Sequence, residues 1–454
     1  MADIAPVPEA FDFEVETLIV GGGACGMIAA LAAAEAGQEV LVIEADPVPQ
    51  GSTSLSAGLI PAAGTRFQRE AGIEDDAARF AADIQRKAKG ENDEALVGAL
   101  AEGSAPAIEW LADRFDLRFS VVTDFDYPGH SRRRMHGLPS RAGRELIDRL
   151  RATVEAEGID VVCDRRAITI FHEGRRIAGL AMERPDGGRE TVGCRKLILA
   201  CNGFGGNREM VAAHMPAIGD ALWFGHDGNR GEAVIWGEAL GAATRHLGAY
   251  QGHGNVAHPH GILITWAVIG EGGVQVNREG RRFWNEAQGY SEAARAVLAQ
   301  PNGEAFTIFD ERIAAIARQF EDFRNAEAQG AVKSAGSLSE LAAILDLPEE
   351  AIETELAGIP ETGEDAFGRT WSGQRLTAPF CGVRVTGALF HTQGGLATDG
   401  AGRVLAEDGS VFPNLFAAGG AACGVSGSGD SGYLSGNGLL AAVVLGRAAG
   451  QAPT

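Results

Sequence analysis

Three glycines and one acid have the spacing that most directly implies chemistry: Gly21, Gly23, Gly26 and Glu44. The run Gly21-Gly22-Gly23-Ala24-Cys25-Gly26 fits G-x-G-x-x-G, a turn that brings backbone up to a pyrophosphate. The first glycine permits the tight turn, the second leaves room for phosphate, and the third lets a helix pack on its strand. The N-terminus of that helix attracts the anion, and Glu44 can accept hydrogen bonds from ribose hydroxyls. The elements that must position these residues are also legible. Residues 16–20 read as a buried parallel strand, the alanine-rich stretch ending near Gly37 as a helix, and residues 40–43 as a second strand. Together they form a βαβ unit for a dinucleotide.

Composition bounds the rest. With 454 residues, 45% hydrophobic and 22% charged, the chain is long enough for two or three domains around a large core. Its 63 glycines imply backbone packed close to a large ligand. A net charge of -22 disfavours nucleic acid and anionic membranes as partners. The acidic N-terminus lacks a cationic, apolar leader, and the glycine turn and Glu35 argue against a membrane span at 19–36. Six cysteines at 25, 163, 194, 201, 381 and 423 form no CxxC, and the expected location is cytoplasmic. His253, His258 and His260 have no carboxylate or cysteine at ligand spacing, so no metal is expected.

Two C-terminal fragments carry a resemblance. His391-Thr392-Gln393-Gly394-Gly395 is followed by Ala417-Ala418-Gly419 and by Gly432-Tyr433-Leu434-Ser435-Gly436-Asn437-Gly438. This layout resembles the fumarate reductase and 3-ketosteroid dehydrogenase flavoproteins. Residues 273–286, ending Arg281-Arg282-Phe283-Trp284-Asn285-Glu286, resemble the VNxxGxRFxNE signature of the same family. The resemblance implies an α/β fold. A discontinuous Rossmann-like FAD-binding domain, 1–246 and 387–454, should hold an inserted α+β cap at 247–386 that covers the flavin.

It also implies FAD as cofactor. Residues 51–58 look like the loop that wraps the pyrophosphate, with Ser52, Thr53, Ser54, Ala57 and Gly58 as contacts. That loop lacks the histidine by which some relatives tether FAD, so noncovalent binding is expected. Ala167 matches the position that reads adenine. Ala200, Asn202 and Gly203 fall in the segment that returns to the nucleotide, and Glu232 stands where relatives have an aspartate. Gly419, Gly438 and Leu439 complete the cofactor set with Ala24 and Cys25. Relatives often have an acid after Ala-Ala-Gly, where this chain has Gly420.

In fumarate reductases arginines occupy the positions of Tyr290 and Tyr433, and further charged groups align with Trp266 and Ile269. An arginine grips a carboxylate through a bidentate charged fork, whereas tyrosine offers one neutral hydrogen bond. The exchanges therefore suggest a ketone rather than a dicarboxylate. His253, Thr265, Trp266, His391 and Asn437 are the implied substrate contacts. Tyr433-x-Ser435 with Tyr290 resembles the catalytic set of the 3-oxo-5α-steroid 4-dehydrogenases. Tyr433 with Ser435 would take proton abstraction or carbonyl polarisation, and Tyr290 the complementary role.

The leading expectation is a dehydrogenase that introduces an α,β double bond into a cyclic, steroid-like ketone and passes electrons to an unidentified acceptor. The second is an ene-reductase working the opposite way on an enoate or enone with an external electron donor. No CxxCH for haem attachment occurs in the sequence. A third, of another class, is a non-catalytic flavin electron carrier.

Overall fold

The computed structural model describes residues 3–123, 126–373 and 375–454. The chain divides into two compact units. Unit 1 is Met1–Met215, Gly225–Tyr250 and His391–Thr454; unit 2 is Pro216–Phe224 and Gln251–Phe390. Unit 2 thus takes the short 216–224 segment in addition to a long insertion. That insertion starts at 251 rather than 247 and ends at 390 rather than 386.

In unit 1 the strand Phe13–Val20, the helix Ala24–Glu35 and the strand Val40–Ile43 follow one another. Thr17–Val20 pairs in parallel with Val40–Ile43 on one side and with Lys196–Leu199 on the other. Leu197–Leu199 then pairs in parallel with Leu415–Ala417, so early and late parts of the sequence share one nine-stranded sheet. Continuous apolar runs such as Leu18-Ile19-Val20 suit strands covered on both faces.

Small residues let the first helix lie close to the C-terminal helix Asn437–Gln451. A Cβ on Gly446 would stand 2.8 Å from the carbonyl oxygen of Cys25, so only glycine permits this approach. The far end of the C-terminal helix is closed by buried Lys196. Its Nζ donates to the carbonyls of Ala449, Gly450 and Ala452 at 3.1, 3.0 and 2.6 Å. Those carbonyls lack helical partners and lie at the negative end of the helix dipole.

Unit 2 is built on a seven-stranded sheet whose main path runs Ile262–Leu263, Tyr250–Ala257, Phe380–Thr392, Glu304–Asp310 and Val274–Val276. Ser337 caps the helix Leu338–Leu345 by accepting from the Glu340 amide at 3.2 Å. The Glu340 carboxylate returns to the amide of Gly336 at 3.0 Å, one residue earlier than a capping box requires. Pro348 precedes the helix Glu349–Ala357. Among the described residues no helix is long and apolar enough to cross a membrane.

Candidate active site

The nucleotide end of unit 1 is held open by backbone geometry. Gly21 has φ +108°, and a Cβ there would meet the carbonyl oxygen of Ala200 at 2.5 Å. A Cβ on Gly26 would overlap the carbonyl oxygen of Gly21. Glu44 is oriented by amides: one carboxylate oxygen accepts from Gly22 at 2.6 Å, the other from Asp46 at 2.9 Å. Each oxygen keeps a second lone pair for a ribose hydroxyl. A cavity of about 340 Å³ opens beside it, lined by Ala45, Asp164, Arg166, Glu183, Arg184, Pro185 and Gly187. Ala167 follows Arg166, one of the lining residues, on the strand Arg166–Glu173. Arg166 also pairs with Glu232 at 3.5 Å.

The 51–58 loop divides its work. Thr53 Oγ1 accepts from the amide of Ala24, and Ser54 Oγ donates to the Gly51 carbonyl at 3.0 Å. These two hydroxyls therefore brace the loop itself. Ser52 Oγ accepts from the side-chain amides of Asn202 and Asn229, at 2.9 and 3.0 Å. A hydroxyl that takes two donors has its own proton left to give, as a phosphate oxygen would require. Ala57 is exposed and Gly58 buried. Asn202, at φ +66°, also accepts from the Gly203 amide. Its side chain fills the space that a Cβ on Gly420 would enter. Any side chain at position 420 would therefore collide with Asn202. The Cys25 thiol is pushed up to about 12 by burial, which leaves it inert.

Further along unit 1, the strand ending at Thr392 and the start of the C-terminal helix bring His391, Tyr433, Asn437 and Gly438 together. The rings of His391 and Tyr433 meet edge-on at 5.6 Å. A Cβ on Gly438 would come within 3.0 Å of His391 Nε2. Leu439 follows in the first helical turn. Gly419, at φ +59°, lies against Cys25. Ser435 is buried, and its carbonyl accepts from His130 Nε2 at 3.0 Å. Asn437 Oδ1 is buried and has no hydrogen-bond partner among the described residues. An orphaned acceptor, a glycine-lined turn and a free helix N-terminus together fit a large polar cofactor.

Unit 2 holds a second cluster. His253 stacks on Tyr290 at 5.1 Å with 18° between the rings, and meets Trp266 and Phe390 edge-on at 5.6 and 5.4 Å. Its Nδ1 accepts from the Asn255 amide at 3.2 Å, so in the neutral ring the proton sits on Nε2. Burial pushes its pKa down to about 3. His253 is thus a neutral donor among aromatic faces. Thr265 Oγ1 accepts from the Ala267 amide. Tyr290 opens the helix Tyr290–Leu298, after Gly289 at φ +135°.

The signature residues just before Tyr290 serve as a brace. Arg282 reaches both oxygens of Glu286, at 2.9 and 2.6 Å, and Asp365 at 2.7 Å. Arg369 adds a contact to Glu286 at 3.2 Å and donates to the carbonyls of Gly273 and Ile269. The signature already contained Arg282 and Glu286, but sequence reasoning passed over Arg369 and His130, because a lone buried arginine or histidine has no spacing pattern of its own. His258 pairs with Glu304 at 3.2 Å. Among the described residues no three His, Cys, Asp or Glu side chains are grouped to hold a metal.

Turn, acid, loop and C-terminal return define a flavoprotein with a discontinuous dinucleotide-binding fold. Residues 16–439 match the FAD binding domain family, to which this chain belongs, and its cofactor is FAD. The chain is 31% identical over 450 residues to the probable fumarate reductase Ifc3 of Shewanella frigidimarina, covering 96% of this chain and 74% of that protein. It is 26% identical to the 4-oxocyclohexanecarboxylate 2-dehydrogenase of Sinomonas cyclohexanicum, covering 96% and 93%. Among solved structures it resembles the open conformation of a flavocytochrome c3 fumarate reductase, with TM-score 0.82, 29% identity and coverage of 97% and 78%. The 3-ketosteroid-Δ4-(5α)-dehydrogenase of Rhodococcus jostii RHA1 shares the fold, with TM-score 0.77, 24% identity and 99% of each chain covered. The protein is an FAD-dependent oxidoreductase acting on carbon–carbon bonds.

Proposed function

We propose that this chain reduces a carbon–carbon double bond conjugated to a neutral carbonyl, using electrons from an external donor. The direction departs from the leading expectation of the sequence, a steroid-like desaturase. The fumarate reductase relatives favour the reductive reading instead. The observation that carries the choice of a neutral carbonyl is the setting of His253, stacked on Tyr290 and edged by Trp266 and Phe390. Such walls suit an apolar ring better than a dianion, whose desolvation they do not offset.

Bound flavin supplies the hydride. In this reading His253, neutral and protonated at Nε2, donates to the substrate carbonyl. Tyr433 with Ser435, and Tyr290, divide carbonyl polarisation and proton delivery to the α carbon. A tyrosine phenol, ordinarily near pKa 10, is an effective proton donor at neutral pH if its conjugate base is stabilised. The N-terminus of the helix Asn437–Gln451 offers partial positive charge for that purpose.

The opposite direction, desaturation of a cyclic ketone, uses the same groups. The Tyr433-x-Ser435 arrangement and the likeness to the 4-oxocyclohexanecarboxylate dehydrogenase favour it. Anaerobic stopped-flow measurements separate the two readings. Rapid reoxidation of dye-reduced enzyme by 2-cyclohexenone is the expected result. Bleaching of oxidised enzyme by saturated ketones, with no reoxidation by enones, would reverse the assignment. The cysteines, all six free, support a cytoplasmic setting.

A further inference from the structure

Behind His391 three side chains form a line that the proposed chemistry does not yet use. Gln393 Nε2 stands 2.9 Å from His391 Nδ1. Gln393 Oε1 accepts from Ser426 Oγ at 2.7 Å, and Ser426 Oγ lies 3.4 Å from Asn437 Nδ2. Gln393, Ser426 and Asn437 are all buried. The line ends at the orphaned Asn437 Oδ1.

Every contact in this line pairs a donor with an acceptor, in one polarity. The Asn437 amide gives to Ser426, the Ser426 hydroxyl gives to Gln393, and the Gln393 amide gives to the imidazole. With the Gln393 amide donating at 2.9 Å, Nδ1 carries no proton and the proton of a neutral His391 sits on Nε2. Burial lowers the His391 pKa and keeps the ring neutral. We propose that Asn437, Ser426 and Gln393 are positioning residues that hold His391 in its Nε2–H form, so that the ring presents a neutral donor to the substrate's carbonyl oxygen. This rests on the functional reading above. The outer edge of the ring faces Gly438, and among the described residues its Nε2 makes no hydrogen bond. Asn437 Oδ1 would supply an acceptor at the same helix end.

The competing state is defined. The carbonyl of Thr392 lies 3.1 Å from His391 Nδ1 and could take a proton from it. That state requires Gln393 to turn its amide, Ser426 to reverse its hydroxyl and Asn437 to turn as well. His391 would then offer a lone pair at Nε2, where a carbonyl oxygen has no use for one.

The test is a long-range proton–nitrogen correlation spectrum of FAD-loaded enzyme labelled with 15N-histidine, with His391 assigned by loss of its signals in His391→Gln. The Nε2–H pattern is expected in the wild type. In Gln393→Glu a carboxylate that can only accept should move the proton to Nδ1. Reoxidation of the reduced enzyme by 2-cyclohexenone should then slow roughly 10²-fold, the usual effect of losing one donor to a developing oxyanion. Should that variant fold poorly, Ser426→Ala breaks the same line and should give a mixture of the two forms. An Nδ1–H pattern in the wild type overturns the proposal, as does an unmoved proton in both variants. Wild-type enzyme with the Nε2–H pattern that is inert towards enones and saturated ketones would sink the functional reading and leave the relay standing.

Discussion

His130 Nε2 donates to the main-chain carbonyl of Ser435 at 3.0 Å, and so fastens the loop that carries Tyr433, Ser435 and Asn437. The ring is fixed from behind by Arg134, whose guanidinium lies 3.4 Å from His130 Nδ1. Arg134 is itself fully buried and held by Asp75 at 2.8 Å and Asp83 at 2.6 Å. Asp83 also accepts from the amide and hydroxyl of Ser131. A loop residue thus inherits its position from a buried ion network some 300 residues earlier in the chain.

Loss of that tether should be felt as chemistry before stability. In His130→Ala the Ser435 carbonyl loses its donor, and the hydroxyls beside it lose their register. A displacement of about 1 Å at a reacting group can cost on the order of 10²-fold in rate. We expect enone-driven reoxidation to slow by about 10- to 100-fold while the FAD spectrum stays normal. His130→Gln, which can still donate, should recover part of the rate. Unchanged rates in His130→Ala would remove the tether from the argument.

Buried neutral histidines should make the protein acid-labile over a defined window. Burial pushes His130 and His136 down to about 4 and His253 to about 3, against 6.5 for an unburied ring. The unfolded chain therefore binds more protons than the folded one between pH 6.5 and these values. Stability is fully present above pH 6.5 and is lost as pH falls through the window. One pKa unit corresponds to about 1.4 kcal/mol, so each histidine contributes on the order of 1–2 kcal/mol of the loss by pH 5. His136 accepts from Thr65 and donates to the Arg134 carbonyl, both at 2.8 Å. His136→Gln can keep partners there without titrating. Its unfolding midpoint should fall less steeply between pH 6.5 and 5 than that of the wild type, and parallel curves would refute the linkage.

The nucleotide half of this design could be read from residues 16–44, because βαβ packing ties strand, glycine turn and terminal acid to fixed spacings. The C-terminal return was legible for the same reason: Ala417-Ala418-Gly419 ends a strand that pairs with the Leu197–Leu199 run. What stayed hidden depends on long-range contact. Nothing near Arg369 in sequence says that it meets Glu286, 83 positions away. Nor could Ser52 be separated from Thr53 and Ser54 until their partners were known, since all three are hydroxyls in one polar loop. The extra strand segment Leu222–Trp223 joins unit 2 by pairing with Ala388 and Leu389, a choice made by sheet register rather than local pattern.

FAD should leave the protein intact on denaturation. The loop at 51–58 carries no histidine for a covalent tether, and its hydroxyls are engaged with backbone and amides. Acid precipitation followed by chromatography of the supernatant should recover the flavin as FAD. Yellow colour retained in the washed pellet would contradict this.

Fumarate should be a poor substrate despite the relatives that reduce it. The family resemblance implies that Tyr290 and Tyr433 replace arginines that would meet a dicarboxylate, and charged hydrogen bonds contribute about 1.5–3 kcal/mol each. Two lost contacts imply at least a hundredfold weaker use of fumarate than of a cyclic enone. Comparable kcat/KM values for the two substrates would place the carboxylate-binding groups elsewhere in the chain.

The phenols of Tyr290 and Tyr433 are the final point on which the proposed reaction can fail. Tyr290 lies flat against neutral His253, and Tyr433 meets His391 edge-on, so each hydroxyl is carried by a ring already packed against an imidazole. Replacement by phenylalanine keeps that packing and removes one oxygen. General acid–base groups and oxyanion donors typically contribute about 10²–10⁴-fold to rate. Tyr290→Phe and Tyr433→Phe should therefore each slow enone-driven reoxidation by that order, with FAD content and thermal midpoint close to wild type. Ser435→Ala should have a smaller effect if Ser435 only tunes Tyr433, and an equal one if it passes the proton on. A purely structural role makes the opposite forecast, with lost flavin or a lowered midpoint and residual rates that scale with the flavin retained. Rates within a few-fold of wild type in both tyrosine variants would overturn their assignment. The remaining candidate donors would then be the two histidines alone.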